Sequence, residues 1–233
     1  MRPVVAIIQA RMGSERLPGK VLLDIGGQSM LERVVRRVQQ ARLIDDVVVA
    51  TSTNPADDRI ADAALELGVK VSRGSEEDVL DRFRKAALEN HAATVVRICA
   101  DSPFVDPVVT DRVIEALLGS DADYASIKLS PTYPLGLDVE AFSREALDEA
   151  AQDAVEAFER AHVTVFMYMH PERFTLLPVV GERDLHNWRW TVDTAEDLEF
   201  ARAMFERLGG RNDFSFADAV AVVEQDPSIA LIN

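Results

Sequence analysis

The sequence predicts an α/β fold with a mostly parallel central sheet, flanking helices and a small inserted hairpin and helix segment. Short runs rich in Val and Ile alternate with longer segments of helical period, which is typical of βαβ units. The 233 residues, 48% of them hydrophobic, are enough for one core. Because no repeat, low-complexity tract or linker divides the chain, we predict a single domain over residues 1–233.

The elements follow from these patterns in chain order. Strands are predicted at 4–9, 46–51, 69–73, 94–100, 124–127, 137–142, 174–179 and 189–192. Helices are predicted at 29–41, 57–67, 76–90, 108–118, 144–169, 194–208 and 216–225. The sequence does not decide whether the fifth helix is broken near Asp153. Ser29 and Glu32 form a capping box at the first helix. The least regular part, 129–178, should hold the insert that covers the site or forms a subunit contact.

Composition excludes several classes of protein. A net charge of −15 disfavours binding to nucleic acid and anionic membranes, and no apolar stretch approaches the length of a membrane span. A single cysteine, Cys99, excludes an internal disulfide framework and a cysteine-based metal cluster. We therefore expect a cytoplasmic protein that binds neither nucleic acid nor membrane.

Basic residues gather only in a loop that directly follows the first predicted strand. Arg11, Arg16 and Lys20 stand there against one acid, Glu15, and the loop contains glycines that let the backbone approach phosphate oxygens. Ligands of open α/β sheets bind at the carboxyl ends of strands, so the position favours a nucleotide site over a solvated surface loop. The spacing is not that of a P-loop, because Val21 follows the lysine and no helix begins there.

Two aspartates follow other predicted strands. Asp101 directly follows the predicted strand 94–100 and is well placed to bind Mg²⁺, although an Asx-turn before Pro103 would also explain it. Asp106 is better explained as a helix N-cap. Asp193 could be only a helix cap, but as a second carboxylate at a strand end it would complete the charge compensation of magnesium-triphosphate chemistry.

The chain resembles the SpsF-type cytidylyltransferases, relatives of the CMP-Kdo and CMP-sialic acid synthetases. The matching blocks run from Ile8 to Ser14 and Pro18 to Lys20, from Arg73 to Phe83, from Arg97 to Pro107, and from Trp190 to Glu199. They span nearly the full length of the chain. Ala100 stands where the family pattern has Gly, which could tighten backbone access beside the metal.

This resemblance implies a Rossmann-like nucleotidyltransferase fold, CTP as co-substrate, Mg²⁺ as cofactor, a small sugar-type acceptor and a homodimer. Arg11, Lys20 and Asp101 would be catalytic, and Asp101 and Asp193 would bind the metal. Ser75 would read the pyrimidine edge, although a helix cap explains it equally well. The nucleotide-binding residues would be Ala10, Arg11, Gly13, Ser14, Arg16, Lys20, Ser75 and Arg97.

The acceptor side carries less evidence. Alternation places Asp138 and Glu140 on one strand face, which the resemblance locates beside the acceptor, and Glu159 and His162 share a helix face at i, i+3. These four side chains are the predicted acceptor-binding residues. The predicted reaction transfers CMP to a sugar acid in polysaccharide synthesis. A glycosyltransferase using a nucleotide-sugar and a non-catalytic nucleotide-binding protein remain the alternatives.

Overall fold

A seven-stranded sheet forms the centre of the computed structural model, which describes residues 3–233. The strands are β1 (Val4–Gln9), β2 (Asp46–Ser52), β3 (Lys70–Gly74), β4 (Thr94–Cys99), β5 (Tyr124–Ser126), β6 (Glu140–Ser143) and β7 (Leu176–Pro178). Their order in the sheet is β3-β2-β1-β4-β6-β5-β7. β6 runs antiparallel to its neighbours β4 and β5, whereas the other pairs are parallel.

Helices cover both faces of the sheet. They are α1 (Met30–Val38), α2 (Asp58–Glu66), α3 (Val79–Glu89), α4 (Pro107–Leu118), α5 (Arg144–Asp153), α6 (Ala157–Ala161), α7 (Val165–Met169), α8 (Ala195–Arg207) and α9 (Phe216–Gln225). Successive side chains of a strand point to opposite faces of the sheet. On one face Ala6 and Ile8 share a core with α1, α2, α4, α8 and α9, and on the other Val5 and Ile7 share a core with α3, α5 and α7. None of the helices, within residues 3–233, is long and apolar enough to cross a bilayer.

The predicted fold class is confirmed, but the strand predicted at 189–192 is wrong. This segment makes only an isolated bridge between Leu135 and Arg189. The N–H groups of Trp190 and Thr191 both donate to the carbonyl oxygen of Leu135, and that of Val192 donates to the carbonyl oxygen of Asp101, so no regular ladder continues. Gly136, at φ 103°, lies so close to this segment that a Cβ on it would come within 2.2 Å of the Thr191 nitrogen. The apolar composition of the segment reflects burial of Trp190, which is 1% exposed.

The single helix predicted at 144–169 is also wrong, since the chain forms three helices there. The open break near Asp153 is confirmed, because Ala154 is extended and Glu156 begins α6 with a capping box. A second break occurs at Val163, whose φ is 60°, a conformation that β-branched residues rarely adopt. The bends return the chain toward the sheet edge where β1 and β4 end.

Candidate functional site

A cavity of about 830 Å³ lies at the carboxyl ends of β1 and β4. Its walls are the basic loop 10–20 after β1, hereafter the first loop, the start of α3, the turn after β4, α6 and Asp193. Open α/β sheets bind ligands at this edge. The predicted residues that line the cavity are Ala10, Arg11, Ser14, Arg16, Lys20, Asp101, His162 and Asp193.

Lys20 joins the two predicted metal ligands. Its ammonium donates hydrogen bonds to Asp101 Oδ2 at 2.7 Å and to Asp193 Oδ1 at 2.8 Å. A third bond, of 2.8 Å, goes to the carbonyl oxygen of Val192. The first loop and two carboxylates that are far apart in sequence therefore meet at one point, as the sequence predicted.

Electrostatics favour the charged forms of Lys20 and Asp193. Burial disfavours the ammonium of Lys20, but the two aspartates outweigh burial and raise its pKa above the ordinary value. Burial likewise acts against the carboxylate of Asp193, yet Lys20 and Arg189 lower its pKa below the ordinary value. Arg189 contacts Asp193 at 2.8 Å and also Asp197 at 2.8 Å. Cations and carboxylates are thus interleaved at the mouth of the cavity.

The conformation of the first loop is set by its backbone. Gly19, at φ 69°, adopts the left-handed conformation and precedes a short 3₁₀ helix, Lys20–Leu22, that directs the lysine inward. The loop is anchored at Met12, whose N–H donates to Asp57 Oδ1 at 2.7 Å. Asp57 is 2% exposed and also accepts from the N–H and hydroxyl of Ser52 at the end of β2. This anchor could not be predicted from the sequence, because its donor is a main-chain N–H, which any residue other than proline carries.

The carboxylates fit a divalent cation. Asp101 and Asp193 supply hard oxygen donors, retain side-chain exposures of 28% and 20%, and reach the same ammonium. Magnesium is commonly held by one or two carboxylates together with phosphate oxygens and water. Within residues 3–233 no three His, Cys, Asp or Glu side chains are grouped to hold a metal ion. The two carboxylates would therefore leave the remaining coordination positions of a metal to water or to oxygens of a nucleotide.

The predicted base-reading residue Ser75 is used as a helix-start contact in this structure. Its hydroxyl accepts from the N–H of Asp78 at 3.0 Å, and it lies outside the cavity lining. Asp78 in turn caps α3 and binds the Arg160 guanidinium at 2.7 Å. That ion pair joins α3 to α6 across the cavity, a contact that the sequence did not indicate. A base-reading role for Ser75 stays a prediction.

Arg97 and Glu140 form a buried pair beneath the cavity. Their side chains are 8% and 3% exposed and approach to 2.7 Å. Burial opposes both charges, but the pairing dominates, so the pKa of Arg97 is raised and that of Glu140 is lowered. Tyr124 and Thr164 also donate to Glu140. Arg97 donates to Gln9, which lines the cavity, so the pair supports the cavity floor.

The other predicted acceptor residues are placed differently from one another. His162 lines the cavity, and its pKa is lowered by burial and by nearby cations, which favours the neutral imidazole. Asp138 is partly buried, and burial raises its pKa. Glu159 accepts from the N–H of Glu156 as part of the α6 capping box. Gly13, Asp138 and Glu159 lie outside the cavity lining, so their binding roles stay predictions.

Comparisons with known proteins agree with this geometry. A family model described as Cytidylyltransferase matches residues 5–220. The chain is 35% identical over 237 residues to the spore coat polysaccharide biosynthesis protein SpsF of Bacillus subtilis, covering 99% of this chain and 98% of that protein. It is 31% identical to a 3-deoxy-manno-octulosonate cytidylyltransferase of Anaeromyxobacter dehalogenans, covering 88% and 98%. The structure of a cytidylyltransferase from Leptospira borgpetersenii superimposes with a TM-score of 0.95 at 30% identity, covering 99% and 97%.

Proposed function

Because the chain belongs to the cytidylyltransferase family, we propose that it transfers CMP from CTP to a sugar-acid acceptor and releases pyrophosphate. The observation that carries this proposal is the meeting of Lys20 with Asp101 and Asp193 in one cavity. Nucleotidyl transfer needs cations for the phosphates and carboxylates for a metal ion, and this arrangement supplies both.

In the proposed reaction a hydroxyl oxygen of the acceptor attacks the α-phosphorus of CTP in line, the new P–O bond forms, the bond to the bridging oxygen of the β-phosphate breaks, and the hydroxyl proton passes to water. Arg11, Arg16 and Lys20 bind the phosphates and neutralise the negative charge of the leaving pyrophosphate. His162 lies at the α6 side of the cavity, where its neutral imidazole can form a hydrogen bond with the acceptor. No side-chain nucleophile is required.

Asp101 and Asp193 would hold magnesium in this proposal. The ion, when bound, would neutralise phosphate charge and polarise the phosphoryl group. Lys20 keeps the two carboxylates close together until then, since its ammonium bonds to both. It can then donate to phosphate oxygens, because the lysine ammonium is a point charge on a flexible stem.

A screen for pyrophosphate release tests the proposal. The four nucleoside triphosphates are each incubated with magnesium and a panel of acceptors that includes 3-deoxy sugar acids and related nonulosonic acids. We expect release only with CTP and a matching acceptor, and none from an Asp101→Asn variant. Absence of release with every nucleotide and acceptor contradicts the proposal. Consumption of a nucleotide-sugar without pyrophosphate would instead support the glycosyltransferase alternative, and CTP binding without turnover the non-catalytic one.

The biological setting is proposed from the relatives. The name of the Bacillus subtilis relative refers to polysaccharide biosynthesis, so we propose the same broad role for this chain, in the cytoplasm. We also propose a homodimer, with the segment 129–178 contributing to the contact or the acceptor site. Exposed apolar side chains support this: Val155, Phe158 and Met169 are 81%, 62% and 63% exposed. Sedimentation velocity should give twice the mass of the chain.

A further inference from the structure

Arg82 is a buried cation in the cavity wall that the proposed phosphate chemistry does not use. It lies on α3, it is 2% exposed, and it nevertheless lines the cavity. Gly74 makes room for it, since a Cβ there would come within 3.0 Å of Arg82 Cγ and 3.1 Å of its Cβ. The glycine after Arg73 thus allows the guanidinium to lie under the turn between β3 and α3.

The hydrogen bonds of Arg82 are incomplete. Nη1 donates to the carbonyl oxygen of Ser75 at 2.5 Å and to that of Glu76 at 3.4 Å. Nε is buried and has no hydrogen-bond partner within residues 3–233. Burial lowers the pKa of Arg82 to about 10, although the carboxylate of Asp57 acts against this shift. Nη2 makes no hydrogen bond within residues 3–233 and, unlike Nε, is not enclosed by protein, so it is the donor of Arg82 that a molecule in the cavity can reach.

The surroundings indicate what kind of group this molecule presents. Glu76, Glu77 and Asp78 line the cavity at the start of α3, and within residues 3–233 only Asp78 has a cation partner, Arg160, so a phosphate there would meet two carboxylates without an ion-pair partner. The phosphate-binding cluster around Lys20 lies elsewhere, at the ends of β1 and β4. A neutral group that offers acceptor atoms to a guanidinium fits this wall better than an anion, because it is not repelled by the acids.

We propose that Arg82 selects the nucleobase by donating hydrogen bonds to the adjacent acceptors O2 and N3 of cytosine. This inference rests on the proposed function, in which CTP occupies the cavity. Uracil carries a hydrogen on N3, so it offers this guanidinium one acceptor fewer and places two donors face to face. The exocyclic amine of cytosine can donate hydrogen bonds to the carboxylates of this wall, whereas O4 of uracil is an acceptor and cannot.

Base selectivity tests this role. The ratio of kcat/KM for CTP to that for UTP is measured for the full-length wild type and for Arg82→Lys and Arg82→Gln. Lysine keeps the charge but loses the planar fork, and glutamine loses the charge. We expect the ratio to fall about 10- to 100-fold in both, the usual effect of losing a hydrogen bond to a charged group. Activity that falls by the same factor with both nucleotides would show a purely structural role and overturn the proposal.

A matched control lies two residues away on the same helix. Arg84 is 44% exposed and pairs with Asp148 at the surface, so Arg84→Lys should leave the selectivity unchanged. If the Arg82 variants do not fold, the wild type is titrated with CTP and 3-deaza-CTP, which lacks the N3 acceptor. About tenfold weaker binding of the analogue supports the proposal, and equal binding overturns it.

The failure of the proposed function gives a different result. A wild type that releases no pyrophosphate with any nucleotide contradicts the transferase proposal alone. Calorimetric binding of CTP and UTP to wild type and Arg82→Lys still decides the role of Arg82. A wild-type preference for CTP that the variant loses supports it, and equal preferences in the two proteins overturn it.

Discussion

Replacing Lys20 with methionine tests the centre of the site, because it removes one charge and leaves the side-chain length nearly unchanged. The ammonium, on a side chain only 10% exposed, bonds to Asp101, Asp193 and the carbonyl of Val192 at 2.7 to 2.8 Å. Bonds of this kind contribute about 1.5 kcal/mol or more each. The aspartates are 28% and 20% exposed, so solvent screening reduces the total. We expect the free energy of unfolding to fall by about 2 kcal/mol.

The same change should affect turnover far more than stability. Losing a cation that stabilises the departing pyrophosphate should lower kcat by about 10²- to 10³-fold. Without the ammonium, the two carboxylates repel each other, so magnesium alone should raise the melting temperature of Lys20→Met more than that of the wild type. Urea unfolding, thermal melts with and without magnesium, and pyrophosphate release measure these three effects.

Lys70→Met is the matched control, since Lys70 is 58% exposed and pairs with Asp46 at the surface. It should change stability by less than about 0.5 kcal/mol and leave turnover unaltered. If Lys20→Met turns over like the wild type, or if magnesium stabilises both proteins equally, the assignment of this cluster to phosphate and metal binding is wrong.

Three further predictions concern the supports of the site. Glu140→Gln should lower the free energy of unfolding by about 3 kcal/mol at pH 7. Because folding lowers the pKa of Glu140, its contribution is present above the unfolded pKa of about 4.3 and is lost as the pH falls through the folded pKa, so acid urea titrations should show the two proteins converging. Gly136→Ala should destabilise the protein far more than Gly27→Ala: both glycines have positive φ, but only the former would bring a Cβ to 2.2 Å from Thr191; equal thermal shifts would contradict this. Asp57→Asn should raise KM for CTP about tenfold with a smaller change in kcat, because it weakens the anchor of the first loop; an unchanged KM in initial-rate assays would argue against that anchor.

The elements that sequence predicted best are those with local signals. β1 and α9 have the predicted bounds, since β1 is a continuous buried run and Ser215 caps α9 with its hydroxyl. Trp190 shows the opposite case: its neighbours in the sequence are as apolar as those of a strand, but the segment makes only an isolated bridge, to Leu135, more than fifty positions earlier in the chain. The apolar composition of a segment indicates that it is buried, but it does not indicate which groups its backbone hydrogen-bonds to.

The site divides in the same way. The meeting of Lys20 with Asp101 follows from the shared edge at which β1 and β4 end, so it could be predicted, whereas Asp193 reaches the same point from a segment that forms no strand. Alternation placed Glu140 on a strand face, but only the pairing of β4 with β6 shows that this face is buried. Asp57 could not have been found, because its partner is the main-chain N–H of Met12. Contacts that join a side chain to a distant backbone leave no pattern in the sequence.

The ion pair under the cavity floor has a consequence for how the chain assembles. Arg97 and Glu140 are directly opposite one another across the antiparallel junction of β4 and β6. Shifting β6 by one position would turn Glu140 toward the apolar layer on the opposite face of the sheet and leave Arg97 buried without a counterion. Misaligned pairings of β6 are therefore penalised by an unpaired buried charge, so this ion pair favours a single register for the strand.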